Sequence, residues 1–170
     1  MKRLILASAV GALAVCSTLP AYAQSAVARL EPTKGNATAG SVTFTQKGDK
    51  VVIEAKVSGL TPGGHGFHIH EKGDCSSGDG MSAGGHFNPT GKPHGNPGVP
   101  DHHTGDLTML VADASGNVSL SMELSAMTIG SGATDIVGKS VIVHKDPDDY
   151  TTQPTGNSGA RVACGVIARN

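Results

Sequence analysis

Seven of the eight histidines in this 170-residue chain fall between His65 and His103, a density that surface chance does not produce. His68 and His70 are two apart in a stretch of strand composition, so both side chains leave the same face. His144 ends the run Val141-Ile142-Val143-His144 and can reach that face from a neighbouring strand. His86, His94 and His103 follow at spacings of 8 and 9, with Asp106 three residues beyond the last. Such long intervals suit a loop wrapped around an ion, because each ligand must arrive from a different direction. Imidazole binds zinc, copper, iron and nickel, and three imidazoles with one carboxylate suit a tetrahedral zinc. Four imidazoles without a thiolate suit a copper that cycles between two oxidation states. A mononuclear zinc hydrolase fits poorly, since three histidines and Asp106 leave no open position for water.

These side chains must be held by strands. Val51, Ile53, Ala55 and Val57 alternate with Val52, Glu54 and Lys56; Val118, Leu120, Met122 and Leu124 alternate with Ser119, Ser121 and Glu123. Val42 and Phe44 do the same against Ser41, Thr43 and Thr45, and a period of two is the signature of a strand with one buried face. Further strands are expected over Ala26–Leu30, Gly66–His70, Asp106–Val111, Ser140–His144 and Arg161–Ala168. Nothing longer than a turn or two reads as helix. The 24 glycines and 9 prolines, about 19% of the chain, fit short strands joined by long loops. The expected fold is all-β: an eight-stranded antiparallel Greek-key barrel or sandwich. Two stretches, Glu71 to Gly105 and Lys145 to Ala160, carry no strand pattern. Both read as functional loops, and the first, of about 35 residues, as held by metal and a disulfide rather than by a core of its own.

The first residues read as an export signal. Met1-Lys2-Arg3 is basic, Leu4 to Val15 is apolar, and Ala21-Tyr22-Ala23 supplies a small-x-small cleavage pattern. The expected organisation is a signal peptide over 1–23 and one domain over 24–170. Cys16 follows the apolar run as a lipidated cysteine would, but Val15 is too large for the residue before one. The domain then has 11 lysines and arginines against 14 acidic residues, a balance of about −3 that argues against nucleic acid. No second long apolar run predicts a membrane contact. Two cysteines remain, Cys75 in the long loop and Cys164 in the last strand, and an even pair in an exported chain is most simply a disulfide.

Four strings together resemble the signatures of copper,zinc superoxide dismutase. They are Gly64-His65-Gly66-Phe67-His68-Ile69-His70-Glu71, Gly85-His86-Phe87-Asn88-Pro89, His103-Thr104-Gly105-Asp106-Leu107, and Gly159-Ala160-Arg161-Val162-Ala163-Cys164-Gly165-Val166-Ile167. Their order and spacing resemble that family over nearly the whole of residues 24–170. The resemblance implies His68, His70, His86 and His144 on one copper, and His86, His94, His103 and Asp106 on one zinc, with His86 shared between them. It implies Arg161 beside the copper, Cys75 paired with Cys164, and Asp148 joining His68 to His94. Asp149 is the alternative to Asp148 if the loop slips by one residue. His65 and His102 are expected outside the ligand sets.

The implied reaction is dismutation of superoxide, with His86 and Arg161 in catalytic roles. A periplasmic location and protection of the cell envelope follow from the export signal. A homodimer is compatible with the resemblance. The competing reading is a protein of the same fold that buffers or delivers copper and zinc without turnover. Cys75, five residues after His70, gives the first loop a bacterial look, whereas Thr155-Gly156-Asn157-Ser158-Gly159 looks eukaryotic.

Overall fold

A computed structural model describes residues 24–170; the signal and Cys16 readings lie outside the described residues. Among the described residues nine strands occur in this order: β1 (Ser25–Pro32), β2 (Ala39–Lys47), β3 (Lys50–Ser58), β4 (Gly63–His65), β5 (Phe67–His70), β6 (Leu110–Ala112), β7 (Val118–Leu124), β8 (Ser140–His144) and β9 (Arg161–Arg169). All ladders are antiparallel, in the order β5-β8-β9-β1-β2-β3-β7, with β4 pairing β6 separately. The chain is therefore an all-β Greek key whose sheet curls into a half-barrel. The alternation read over β2, β3 and β7 puts Val42, Phe44, Val51, Ile53, Ala55, Val57 and Val118 in the core. Fully buried Phe44 and Phe67 each contribute ~1.5–3 kcal/mol of hydrophobic stabilisation there. No described helix is long and apolar enough to cross a membrane.

β5 and β8 differ from the other strands because every residue in them is buried. One face, carrying Phe67, Ile69, Val141 and Val143, joins the core. The other carries His68, His70 and His144 and is covered by the two long loops, so a barrel exterior becomes an interior. Gly66 makes the corner between β4 and β5: a β-carbon there would sit 2.5 Å from Ser158 Oγ and 3.2 Å from His68 Cε1. The expected strand over Asp106–Val111 is shorter, since only Leu110–Ala112 pairs continuously. Asp106 instead forms an isolated bridge with His68. β4 was not among the expected strands, because its sequence is Gly-Gly-His, which carries no apolar period.

Candidate metal centre

The sheet brings His68 and His144 together from β5 and β8, and the first long loop adds His86 through an isolated bridge to His70. His68 Nδ1, His70 Nε2, His86 Nε2 and His144 Nε2 lie within 4.8 Å of one another. All four atoms are buried and have no hydrogen-bond partner. Three of the four rings are fixed through their other nitrogen. His68 Nε2 donates to Asp148 Oδ2 at 2.6 Å, His70 Nδ1 to the Gly84 carbonyl at 2.9 Å, and His144 Nδ1 to the Gly159 carbonyl at 3.2 Å. Donation on the outer side leaves the lone pair on the inner one. Burying even one polar atom without a partner costs about 1–3 kcal/mol, so four aimed at one point call for a cation.

The second cluster shares His86. Nδ1 of His86 and of His94 each lie 3.0 Å from Asp106 Oδ1, and Nδ1 of His103 lies 3.3 Å from it. The His103 and His86 Nδ1 atoms are 3.4 Å apart. Ion–ligand bonds of about 2.0–2.1 Å give a tetrahedron edges of about 3.3–3.4 Å, close to these separations. The second carboxylate oxygen, Oδ2, is held by the backbone N–H groups of Gly95 at 3.0 Å and His103 at 2.9 Å, which turns Oδ1 toward the rings. The donor sets therefore fit copper in the four-histidine cluster and zinc in the cluster with Asp106.

Electrostatics keep the ligands in binding form. Burial pushes the His86 imidazole down to about 4 and that of His144 to about 3. Burial, with the neighbouring His86, holds His70 well below its ordinary value, and burial lowers His68 against the pull of Asp148. Burial opposes ionisation of Asp106, but hydrogen bonds from His103, His86 and His94 outweigh it and hold the carboxyl well below the usual range. Asp148 is likewise held low: burial opposes, and bonds from His68 and His94 prevail.

His94 goes the other way. Burial lowers it, yet Asp106 and Asp148 on its two nitrogens raise it to about 9. Without metal, His94 therefore carries a proton at neutral pH that zinc must displace from Nδ1. Zinc affinity of the apo protein is expected to rise with pH until about 9, where this term levels off. Calorimetry in buffers of differing ionisation enthalpy at pH 7.5 should show about one proton released from His94 per zinc. A heat independent of buffer would contradict this.

Asp148 is the residue that joins the clusters: Oδ2 receives His68 and Oδ1 receives His94 Nε2 at 2.9 Å. Asp149 is exposed and binds Thr151 and Thr152 instead. Arg161, at the start of β9, donates from Nη1 to Gly80 at 2.7 Å and from Nη2 to Gly84 at 2.6 Å. Its charge is felt at His70 and His144, whose protonation it opposes. Cys75 and Cys164 are bonded with their Cα atoms 5.8 Å apart, tying the first loop to β9. His65 and His102 belong to neither cluster: both are buried, with His65 Nδ1 bound to the His144 carbonyl and His102 Nδ1 to the His103 carbonyl. The sequence did not point to the carbonyls of Gly80, Gly84 and Gly159 or to Gln153. A backbone acceptor leaves no trace in residue type.

Residues 38–167 match the model of the copper/zinc superoxide dismutase family. The chain belongs to that family. Its fold is similar to a crystal structure described as that of the clock protein EA4, at 41% identity and a TM-score of 0.78, covering 85% of this chain and 93% of that one. All seven ligand residues that the family resemblance implied stand in the two clusters, and His86 stands in both.

Proposed function

We propose that this family member disproportionates superoxide: two superoxide anions and two protons become one dioxygen and one hydrogen peroxide. The observation that carries this reading is the single ring of His86, with Nε2 in the four-histidine cluster and Nδ1 in the cluster with Asp106. Copper in the first cluster would supply one-electron exchange in both directions, and zinc in the second would supply a fixed positive charge. His68, His70, His86 and His144 would hold the copper; His86, His94, His103 and Asp106 would hold the zinc.

The chain's own groups do the rest. His86 Nδ1 is committed to the Asp106 side, so Nε2 is the only atom of that ring where a proton can be taken up and given to reduced substrate. Burial disfavours the charged form of this ring, so a proton there is held only transiently. Asp148, Gly84 and Gly159 fix the ring orientations and tautomers of His68, His70 and His144 before substrate arrives. Arg161 offers a guanidinium already locked by two carbonyls, leaving donors for a small anion. A protein that only stores metal needs neither the shared ring nor this cation. We further propose export to the periplasm, supported by the basic start, apolar run and Ala21-Tyr22-Ala23 of the sequence, and hence protection of the cell envelope.

The deciding experiment is the superoxide decay rate of residues 24–170 loaded with one copper and one zinc per chain. The expected value lies in the near-diffusional range of about 10⁸–10⁹ M⁻¹s⁻¹ for which superoxide dismutases are a standard example, and it falls with salt. R161Q should slow the low-salt rate about tenfold and flatten its salt dependence, because a local cation rather than the net charge steers the anion. Full metal loading without turnover would favour the metal-buffering reading.

A further inference from the structure

One side chain of the second loop treats the backbone of His94 as a strand would treat its partner. Gln153 Oε1 accepts from the His94 N–H at 2.8 Å, and Gln153 Nε2 donates to the His94 carbonyl at 2.9 Å. The same loop holds the His94 ring, since Nε2 donates to Asp148 Oδ1 at 2.9 Å. Backbone and imidazole of one zinc ligand are thus gripped by residues only five apart in sequence.

The segment that does the gripping is closed on itself. Asp149 N donates to the Gly156 carbonyl at 2.9 Å and Gly156 N to the Thr152 carbonyl at 2.7 Å. Asp149 Oδ1 accepts the N–H groups of Thr151 at 2.9 Å and Thr152 at 2.8 Å. Gly156, at φ +65°, lets the knot lie on the site: a β-carbon there would overlap the Asp148 carboxylate and come within 2.5 Å of His94 Nε2. Farther along, the loop base pairs Lys145 N with Ala160 O at 2.8 Å and Asp146 N with Ser158 O at 2.9 Å. Gly159, within that base, is the acceptor for His144 in the other cluster.

We propose that Gln153 is a positioning residue for the zinc ligand His94, and that its amide makes zinc capture and closure of the loop 145–160 one coupled event. Asp148 fixes which way the His94 ring faces, whereas Gln153 fixes where the ring starts from. A loop docked through Gln153 raises zinc affinity by presenting Nδ1 in place. By linkage, zinc favours the docked loop by the same factor. The first loop, which supplies His94, and the second, which supplies the acceptor for His144, then order together.

The test uses the full domain without metal, as wild type, Q153A and Q153N, the last keeping the amide on a stem one methylene shorter. Zinc affinity is read by competition with a chromogenic chelator, loop closure by hydrogen exchange at the Asp149 and Gly156 amides with and without zinc, and the scaffold by the apo melting temperature. Both variants are expected to lose about tenfold in zinc affinity, in the range seen when partners of a metal ligand are removed. The zinc-induced protection of the loop amides should fall by the same factor, with apo melting unchanged. Zinc affinity within about twofold of wild type overturns the proposal. An affinity loss matched by an equal loss of apo stability overturns it too, because Gln153 would then be scaffold only. Dismutation enters none of these readouts. Failure to find turnover leaves this inference standing, and unaltered zinc affinity leaves the dismutase reading standing.

Discussion

H86A should reduce superoxide turnover by about 10²–10⁴-fold while copper remains bound. The two halves of this outcome come from different sides of one ring. Removing the imidazole takes one nitrogen from a cluster that still has His68, His70 and His144, all fixed from outside by Asp148, Gly84 and Gly159. Three imidazoles keep substantial copper affinity. What disappears is the only protonatable nitrogen that the copper cluster shares with the zinc cluster, together with the positive field transmitted through it. H103A makes the necessary contrast, since His103 belongs to the Asp106 cluster alone. It weakens zinc yet leaves His86 Nε2 in place, so its loss of turnover should be clearly smaller. Rapid-mixing superoxide decay, with metal content measured on the same samples, separates the two. Equal losses in H86A and H103A would assign the effect to zinc loss and remove His86 from proton delivery. Unchanged turnover in H86A would reject the shared ring altogether.

The strand-borne part of the ligand set was legible because the strand period is strict, whereas the division of the histidines between two clusters rested on the family resemblance. Once Phe67 and Ile69 face the core, His68 and His70 must face away from it together. What could not be read was how that outward face becomes buried. The covering depends on loops whose conformation is set by backbone hydrogen bonds, and every residue type offers a carbonyl. Gly84 illustrates this: its one oxygen receives both His70 Nδ1 and Arg161 Nη2, which couples a ligand of the four-histidine cluster to the Arg161 guanidinium. The residue type says only that φ is free there. The strand expected from Asp106 onward is shortened for a related reason. Alternation predicted pairing, but Asp106 and His103 are drawn aside by the zinc cluster, and regular pairing begins only at Leu110. Where a metal cluster fixes the chain, local periodicity loses its authority.

C75A/C164A should destabilise the metal-loaded protein by about 2–4 kcal/mol while largely sparing its rate at 25 °C. The stability term comes from the unfolded chain. The bond closes a loop across 89 positions, for which chain entropy alone gives roughly 4–5 kcal/mol and measured disulfides more often about 2–4. For a domain of this size that is a fall in melting temperature of about 5–15 °C. Alanine avoids leaving a thiol or hydroxyl in the small apolar cluster of Ala83, Ile142 and Cys164. The native loop, by contrast, has many other ties. Glu71 N bonds Gly85 O at 2.9 Å, Lys72 N bonds Ala83 O at 3.0 Å, and Lys34 N bonds Gly78 O at 2.7 Å. Arg161 holds Gly80 and Gly84 from the other side, and His86, midway along the loop, belongs to both metal clusters. Metal and hydrogen bonds should therefore keep the Gly84 carbonyl and the guanidinium in register after the covalent tie is gone. The copper spectrum and the superoxide decay rate at 25 °C test this alongside thermal unfolding. A shifted copper spectrum in a protein that is still fully folded would show that the disulfide, rather than these bonds, sets the geometry of the site.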